Sequence, residues 1–178
     1  MSFGLLAFAA IVALVFAFVT IYNGLVAAAD KATSAWNELD ALLRQRHDEI
    51  PRMVEACEPH LAAERALLDR LLDARAAVFA ARQTRDADEL NRAEARLREA
   101  ATSLMRRAEA APALAASPSF GLLRQRQATL DSELKDRSDR YNEAVRVYNG
   151  AISRVPGRLV ALVASFPPLR SLDFEPAS

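Results

Sequence analysis

The stretch YNEAVRVYN, residues 141–149, places a Tyr-Asn pair at positions 141 and 142 and repeats it at positions 148 and 149. Seven residues are about two turns of an α-helix, so Tyr141 and Tyr148 fall on the same helix face. A third copy, Tyr22-Asn23, lies near the start of the chain. The spacing predicts tyrosines that pack against a neighbouring helix and indicates a structural use rather than a catalytic one.

The helix around this stretch extends in both directions along an apolar seam. The seam advances by alternating steps of three and four, as in a coiled coil, through Phe120, Leu123, Gln127, Leu130, Leu134, Arg137, Tyr141, Val145, Tyr148, Ile152 and Val155. Asn142 and Asn149 flank the seam, where an amide can bond to a neighbouring helix or to a tyrosine hydroxyl. Pro156 and Gly157 are expected to end the helix.

Composition favours long helices throughout the 178-residue chain, which contains five glycines and 7% aromatic residues. Lys and Arg together number 23, as do Asp and Glu, so the chain carries no net charge that would attract nucleic acid. A single cysteine, Cys57, excludes an intramolecular disulfide. The length suits one all-α domain with one special segment.

That segment is residues 3–22, which contain no charged residue and no proline. Twenty helical residues are about 30 Å long, the thickness of a bilayer core, so the stretch predicts a transmembrane helix. The alternative is a cleaved secretory signal ending near Ala27, Ala28 and Ala29, but no basic region precedes the stretch. Lys31 follows the span and favours a cytoplasmic domain. Tyr22 stands where an interfacial aromatic residue belongs.

Beyond the span, a second seam predicts that the same helix continues into the domain. It runs through Tyr22, Leu25, Ala29, Ala32, Trp36, Leu39, Leu43, Arg46, Ile50, Met53 and Cys57. Pro51 lies inside this pattern and predicts a kink, or a helix end soon afterwards. Arg46 interrupts this seam as Arg137 interrupts the last one, and counting along the helices places both in one layer, with Glu49 or Asp131 as partners.

Two further helices are expected between these two. One contains Leu61, Leu68, Leu71 and Val78, and the next, with Asp86 and Glu89 as a capping arrangement, contains Leu90, Leu97 and Leu104. Four helices running up and down would place Trp36 beside Tyr141. The predicted fold is all-α, with a transmembrane anchor at residues 1–22, an antiparallel four-helix bundle at 23–157, and a short amphipathic segment with an extended tail at 158–178.

The chain resembles the LemA family of bacterial membrane proteins. The elements that carry the resemblance are, in order, YNGLV at 22–26, AWNELD at 35–40, RQRHDEIPRMVE at 44–55, Pro112 with Leu114, Phe120, YNEAVRVYN at 141–149, VPGRLVA at 155–161, Phe166, and FE at 174–175. The resemblance implies an amino-terminal transmembrane helix followed by an antiparallel four-helix domain. It implies no enzymatic activity and no catalytic residues.

Cys57, His60 and Glu64 form the best candidate for chemistry. On a continuous helix their spacing brings a thiolate, an imidazole and a carboxylate to one face, where they could bind zinc. Pro59 opposes that arrangement, and the spacing matches no common zinc or di-iron pattern. No phosphate loop, nucleophile elbow or His-Glu-x-x-His motif is present in the sequence.

The sequence therefore predicts a non-enzymatic, single-pass protein of the bacterial inner membrane, with no catalytic, cofactor-binding or metal residues. It predicts a scaffold or adaptor that contacts the bilayer through residues 3–22 and a protein partner or a second copy through its helices, with no nucleic acid and no small-molecule substrate. The alternatives are a metal-dependent or redox protein that uses Cys57 and His60, and bilayer contact by residues 158–166. The structural motif residues are Tyr22, Asn23, Trp36, Pro51, Tyr141, Asn142, Tyr148 and Asn149.

Overall fold

The computed structural model describes residues 2–61, 64–84 and 87–172. Within these ranges the chain forms six helices and no strand. The helices are α1 (Ser2–Cys57), α2 (Arg65–Thr84), α3 (Ala87–Glu109), α4 (Pro112–Ala115), α5 (Pro118–Ser153) and α6 (Gly157–Ala164). The prediction of an all-α fold is confirmed. The cap predicted at Asp86 lies outside the described residues.

Helix α1 is continuous for 56 residues. The side chains of residues 3–20 are exposed, whereas the seam beyond them is buried at Leu25, Ala32, Leu39, Leu43, Arg46, Ile50, Met53 and Cys57. One helix thus changes from an apolar surface on all sides to a single buried stripe. This change follows the sequence, where charged residues appear only from Asp30 onwards.

Pro51 lies inside α1, and the helix continues past it before ending at Cys57. Proline has no N–H, so the carbonyl of His47, four residues earlier, loses its intrahelical donor. Arg75 on α2 replaces that donor, because its Nε donates to the His47 carbonyl at 3.0 Å. The proline is therefore accommodated by a side chain 28 positions away in the sequence.

Helices α2 and α3 pack against each other. Leu68, Leu71 and Val78 of α2 are buried, as are Leu90, Leu97 and Leu104 of α3. Leu72 and Phe79, two further large apolar residues of α2, are exposed instead. The α2 seam is therefore buried at Leu68, Leu71 and Val78, while two apolar side chains beside it remain exposed.

The connection to α5 contains the one-turn helix α4, which begins at Pro112. Proline suits the first helical position because its missing N–H would have no intrahelical partner there. Ser117 precedes α5, and its carbonyl accepts the N–H of Gly121 at 3.0 Å, as expected at a helix start. Along α5, Leu123, Leu130, Leu134, Tyr141, Val145 and Tyr148 are buried on the predicted face.

Helix α6 packs closely against the end of α5. A Cβ built on Gly157 would lie 2.2 Å from the carbonyl oxygen of Ala151, so only glycine fits this approach. Ser165 ends α6 in a left-handed conformation with φ 57°, and the Phe166 N–H donates to the Ala161 carbonyl at 3.1 Å. The chain then continues without helix to Leu172.

The described residues form two compact units. One lies within Met1–Asn37 and Arg140–Ser171, and the other within Glu38–Asp139 and Leu172–Ser178. In the first unit the rings of Trp36 and Tyr141 are 5.5 Å apart between centroids, which confirms the contact predicted by counting along the helices. The apolar cluster of this unit contains Leu25, Val160 and Ala161.

In the second unit Arg137 is paired with Glu38, which was not one of the two expected partners. Glu38 precedes Arg46 by eight residues, or about 12 Å of helix, so the two arginines do not share one layer. Both side chains of the Arg137 pair are partly exposed. Such a pair contributes about 0–1 kcal/mol, because water screens the two charges.

Prediction for the proline site: replacing Arg75 with Ala destabilises the chain, since the His47 carbonyl then lacks a donor in a half-buried position. The expected cost is about 1–3 kcal/mol. The same change costs less in a Pro51→Ala background, because residue 51 then supplies its own N–H. Thermal unfolding of the full chain in detergent, followed by circular dichroism, measures both.

Equal losses in the two backgrounds would contradict this account of Pro51. Arg92→Ala on α3, where the side chain is exposed, is the control and is expected to change stability by less than about 0.5 kcal/mol.

Candidate functional site

The repeated tyrosines bind the segment that follows α6, residues 166–172, here called the tail segment. The hydroxyl of Tyr148 donates to the Pro167 carbonyl at 2.8 Å, and that of Tyr141 donates to the Arg170 carbonyl at 2.9 Å. Seven helical residues rise about 10.5 Å, and three residues of extended chain cover about 10 Å. The heptad spacing of the tyrosines therefore matches the spacing of the carbonyls they hold.

Asn149 holds the same segment by both ends of its amide. Its Nδ2 donates to the Leu169 carbonyl at 2.7 Å, and its Oδ1 accepts the Leu169 N–H at 3.0 Å. This pairing copies the two hydrogen bonds that a neighbouring strand would provide. These four hydrogen bonds go to backbone groups, so they do not depend on the side chains of residues 167–170.

Burial affects both tyrosines of this site. Desolvation raises the pKa of the Tyr141 and Tyr148 phenols above the usual value, which keeps both groups protonated as donors. What the arrangement does is fix the backbone of the tail segment against α5.

The other motif residues have separate positions. Tyr22 is partly exposed and its ring contacts Phe166 edge-on, with centroids 5.8 Å apart. Asn23 is exposed, and Asn142 is half-buried and has a partner. The Tyr22-Asn23 pair thus differs from the Tyr148-Asn149 pair, because Tyr148 and Asn149 both form hydrogen bonds to the tail segment whereas Asn23 is exposed.

A buried polar cluster lies in the second unit. Arg46 and Glu94 are each 2% exposed, with Nη1 and Oε2 4.0 Å apart, and His47 Nε2 lies 3.1 Å from Glu94 Oε1. Desolvation raises the pKa of the Asp131 carboxyl, and the charge of Arg46 opposes that rise. Arg46 therefore has Glu94 as its ion-pair partner and interacts electrostatically with Asp131, one of its two expected partners. The other expected partner, Glu49, pairs with Arg52.

The Arg46–Glu94 pair opposes folding, because both charges lose their hydration and gain only one contact of 4.0 Å with each other. Arg46 Nε and Glu94 Oε2 have no hydrogen-bond partner among the described residues. The sequence indicated Arg46 as a seam interruption but gave no sign that Glu94 on α3 would face it.

A groove in the second unit lies between α1 and α2 and has a volume of about 820 Å³. Its lining consists of Arg44, His47, Asp48, Leu72, Arg75, Ala76, Phe79, Arg82 and Gln83. Three guanidinium groups face one lining carboxylate, Asp48. Phe79 is 66% exposed at the groove, so the site combines positive charge with an unpartnered aromatic ring.

The guanidiniums of this groove are held in place by a few contacts. Asp40 pairs with Arg44 at 2.6 Å and with Arg82, while Arg75 is held by the His47 carbonyl and forms no ion pair within the described residues. Desolvation lowers the pKa of Arg82, although the charge of Glu94 opposes this. A partly dehydrated guanidinium attracts an anion more strongly than one in bulk water.

The candidate metal ligands are not brought together. Helix α1 ends at Cys57, so the continuous helix that the spacing argument required does not exist. Cys57 is fully buried, His60 is exposed on a turn, and Glu64 pairs with Arg107. Across the described ranges, no group of three or more His, Cys, Asp or Glu residues has the geometry to hold a metal ion.

These features define an all-helical protein with one helix that is long and apolar enough to cross a membrane. The sequence profile of the LemA family matches residues 35–178, and the chain belongs to the LemA family. Comparison with curated proteins finds no match for this chain.

Prediction for the tail segment: Asn149→Ala removes two hydrogen bonds to Leu169 and costs about 1–3 kcal/mol, because the backbone groups it leaves are partly buried. Hydrogen exchange at the Leu169 amide should accelerate by the corresponding factor of about 5–150 if the segment releases locally. Asn23→Ala, at an exposed position of the first Tyr-Asn pair, should change neither quantity. Unchanged exchange at Leu169 would show that other contacts hold the segment.

Prediction for the cysteine: burial raises the pKa of the Cys57 thiol to about 11. Thiolate is the reactive form, so at pH 8 only about one thiol in a thousand is ionised in the folded chain. Alkylation by iodoacetamide should be slow and should rise about tenfold per pH unit from pH 7 to 10. Urea-unfolded chain should react fast and reach a plateau above about pH 9. Rapid alkylation of the folded chain at pH 7 would restore the redox hypothesis.

Proposed function

We propose that the chain is a single-pass adaptor of the bacterial inner membrane, without enzymatic activity. Its long helices α1, α2, α3 and α5 form an antiparallel four-helix bundle on the cytoplasmic side. The bundle holds a protein partner through an acidic segment that carries an apolar side chain. The groove lined by Arg75, Arg82 and Phe79 is the observation that carries this proposal.

The contacts between helices support the antiparallel arrangement. Between α1 and α2, Asp40 pairs with Arg82 and His47 binds Arg75, so seven residues forward on one helix match seven backward on the other. The α1 residue Trp36 contacts Tyr141 on α5. Helices α2 and α3 are neighbours joined by a short connection, which favours opposite directions.

The membrane anchor is supported by composition and exposure. Helix α1 contains a window of mean hydropathy 2.7 whose residues are unburied, and it is long and apolar enough to cross a bilayer. The fold adds to the orientation argument, because Arg154 and Arg158 lie in the same unit as Lys31 although they are far away in the sequence. Basic residues next to a span favour the cytoplasmic side.

The groove supports a partner of defined chemistry. Arginine beside an exposed aromatic ring is the combination enriched at the centres of protein interfaces. Two carboxylates, Asp40 and Asp48, stand against three guanidiniums, which leaves an excess of positive charge. An acidic side chain next to an apolar one complements both features. The α2 residues Leu72, Arg75, Phe79 and Arg82 recur at helical spacing, so one short segment can contact all of them.

The test is cross-linking in intact membranes, followed by detergent extraction and mass spectrometry, with a tag at the carboxyl terminus. One different protein recovered at near-equal amount is the expected result. Phe79→Glu should abolish that recovery, since it removes the ring and adds a carboxylate that competes for Arg75 and Arg82. Leu122→Glu is the matched control, because Leu122 is 53% exposed on α5 and receives the same new charge.

Equal loss in both variants would mean that the groove is not the binding surface. Recovery of this chain alone, cross-linked to itself, would replace the adaptor by a self-assembling scaffold. Circular dichroism of the two variants in detergent checks that both remain folded.

A further inference from the structure

Helix α6 is apolar on two opposite faces. Gly157, Val160 and Ala161 are buried against the unit to which they belong. On the other face Leu159, Leu162 and Val163 are 61%, 82% and 74% exposed, and Val155, just before the helix, is 72% exposed. The helix carries one charged residue, Arg158. A helix that is apolar on all sides is typical of a buried position or a membrane.

The buried face places α6 beside the end of the predicted span. Val160 and Ala161 cluster with Leu25 of α1, and Ile21 packs against the same cluster. The ring of Phe166, just after α6, contacts Tyr22. Residues 3–22 cover about 30 Å of helix, the thickness of the hydrocarbon core, so Tyr22 lies at its border when that segment spans the bilayer. Helix α6 is then at the level of the lipid headgroups.

The surroundings of α6 match an anionic lipid surface. Arg154 and Arg158 are both exposed, before and at the start of the helix. A groove of about 690 Å³ runs along it, lined by apolar residues that include Ile152, Leu162 and Phe166, together with Arg158. Apolar side chains with adjacent basic groups are what a helix lying in the membrane interface presents.

We propose that α6 lies in the interface of the cytoplasmic leaflet, with Leu159, Leu162 and Val163 in the acyl boundary and Arg154 and Arg158 at anionic headgroups. The proposal rests on the proposed function, in which α1 spans the membrane. A protein anchored by a single spanning helix is free to rotate and tilt relative to the membrane. A second contact with the bilayer fixes that orientation. It also removes from water an apolar surface that would otherwise cause aggregation.

The test is spin labelling of the full chain in vesicles of phosphatidylcholine with a minor fraction of phosphatidylglycerol. A cysteine replaces Leu162, and collision of its label is measured with oxygen, which concentrates in lipid, and with a water-soluble nickel complex. Val12→Cys, 51% exposed in the predicted span, is the reference for lipid. Leu122→Cys, about 45 Å of helix from the end of α5, is the reference for water. Wild-type chain checks that buried Cys57 takes up no label.

The expected result is a ratio of oxygen to nickel collision at Leu162 that is shifted from the value at Leu122 toward the value at Val12. A ratio equal to that at Leu122 would overturn the proposal. Low collision with both reagents would also overturn it, because α6 would then be covered by protein. If Val12 is itself accessible to nickel, the anchor fails and with it the proposed function. If the label at Leu162 is accessible to nickel and the label at Val12 is not, α1 spans the bilayer and α6 alone is excluded from it.

Discussion

The seam of α1 is the constraint on which both compact units depend. Leu25 and Ala32 are buried in the first unit, and Leu39, Leu43, Ile50 and Met53 are buried in the second, all on one helix. A helix that buries a residue every third or fourth position needs partners along its whole length, since each exposed large apolar side chain costs about 1.5–3 kcal/mol of lost burial. Those partners come from α2, α3, α5 and α6, whereas the side chains of residues 3–20 are exposed.

Local rules are broken at two places, and tertiary contacts compensate at both. Pro51 removes a donor from the middle of α1, and Arg75 supplies another. The chain after α6 has no helix to satisfy its backbone, and Tyr141, Tyr148 and Asn149 satisfy it with side chains. In each case a polar side chain from another helix replaces the hydrogen bond that secondary structure does not provide. Tyr141, Tyr148 and Asn149 belong to a conspicuous motif and Arg75 does not, but all of them have partners that are remote in the sequence.

Much of the fold could be predicted, because periodicity reports which face of a helix is buried. The seams of α1 and α5 predicted most of the buried residues of these two helices, and counting along them placed Trp36 beside Tyr141. The pairing of charges could not be predicted in the same way. The counting offered Glu49 or Asp131 as partners for the two arginines. Asp131 does interact electrostatically with Arg46, but Arg137 binds Glu38, and Arg46 also faces Glu94 on a helix that the counting did not include. Charged side chains are long, and their partners depend on helix rotations that periodicity does not fix.

By itself the sequence determined which segments are helical, which face of each long helix is buried, and that one helix is long and apolar enough to cross a membrane. These properties follow from which residues recur at a period of 3.6 and from the length of the uncharged stretch. It also determined that Tyr141 and Tyr148 share a face. Only the tertiary structure decided which groups the tyrosine hydroxyls bind. A hydroxyl at a helix surface can donate to many acceptors, and the path of the chain after α6 places the Pro167 and Arg170 carbonyls beside these two. The tertiary structure also decided the positions of Cys57 and His60. Their spacing would place them on one face of a continuous helix, but α1 ends at Cys57 and they do not share a face.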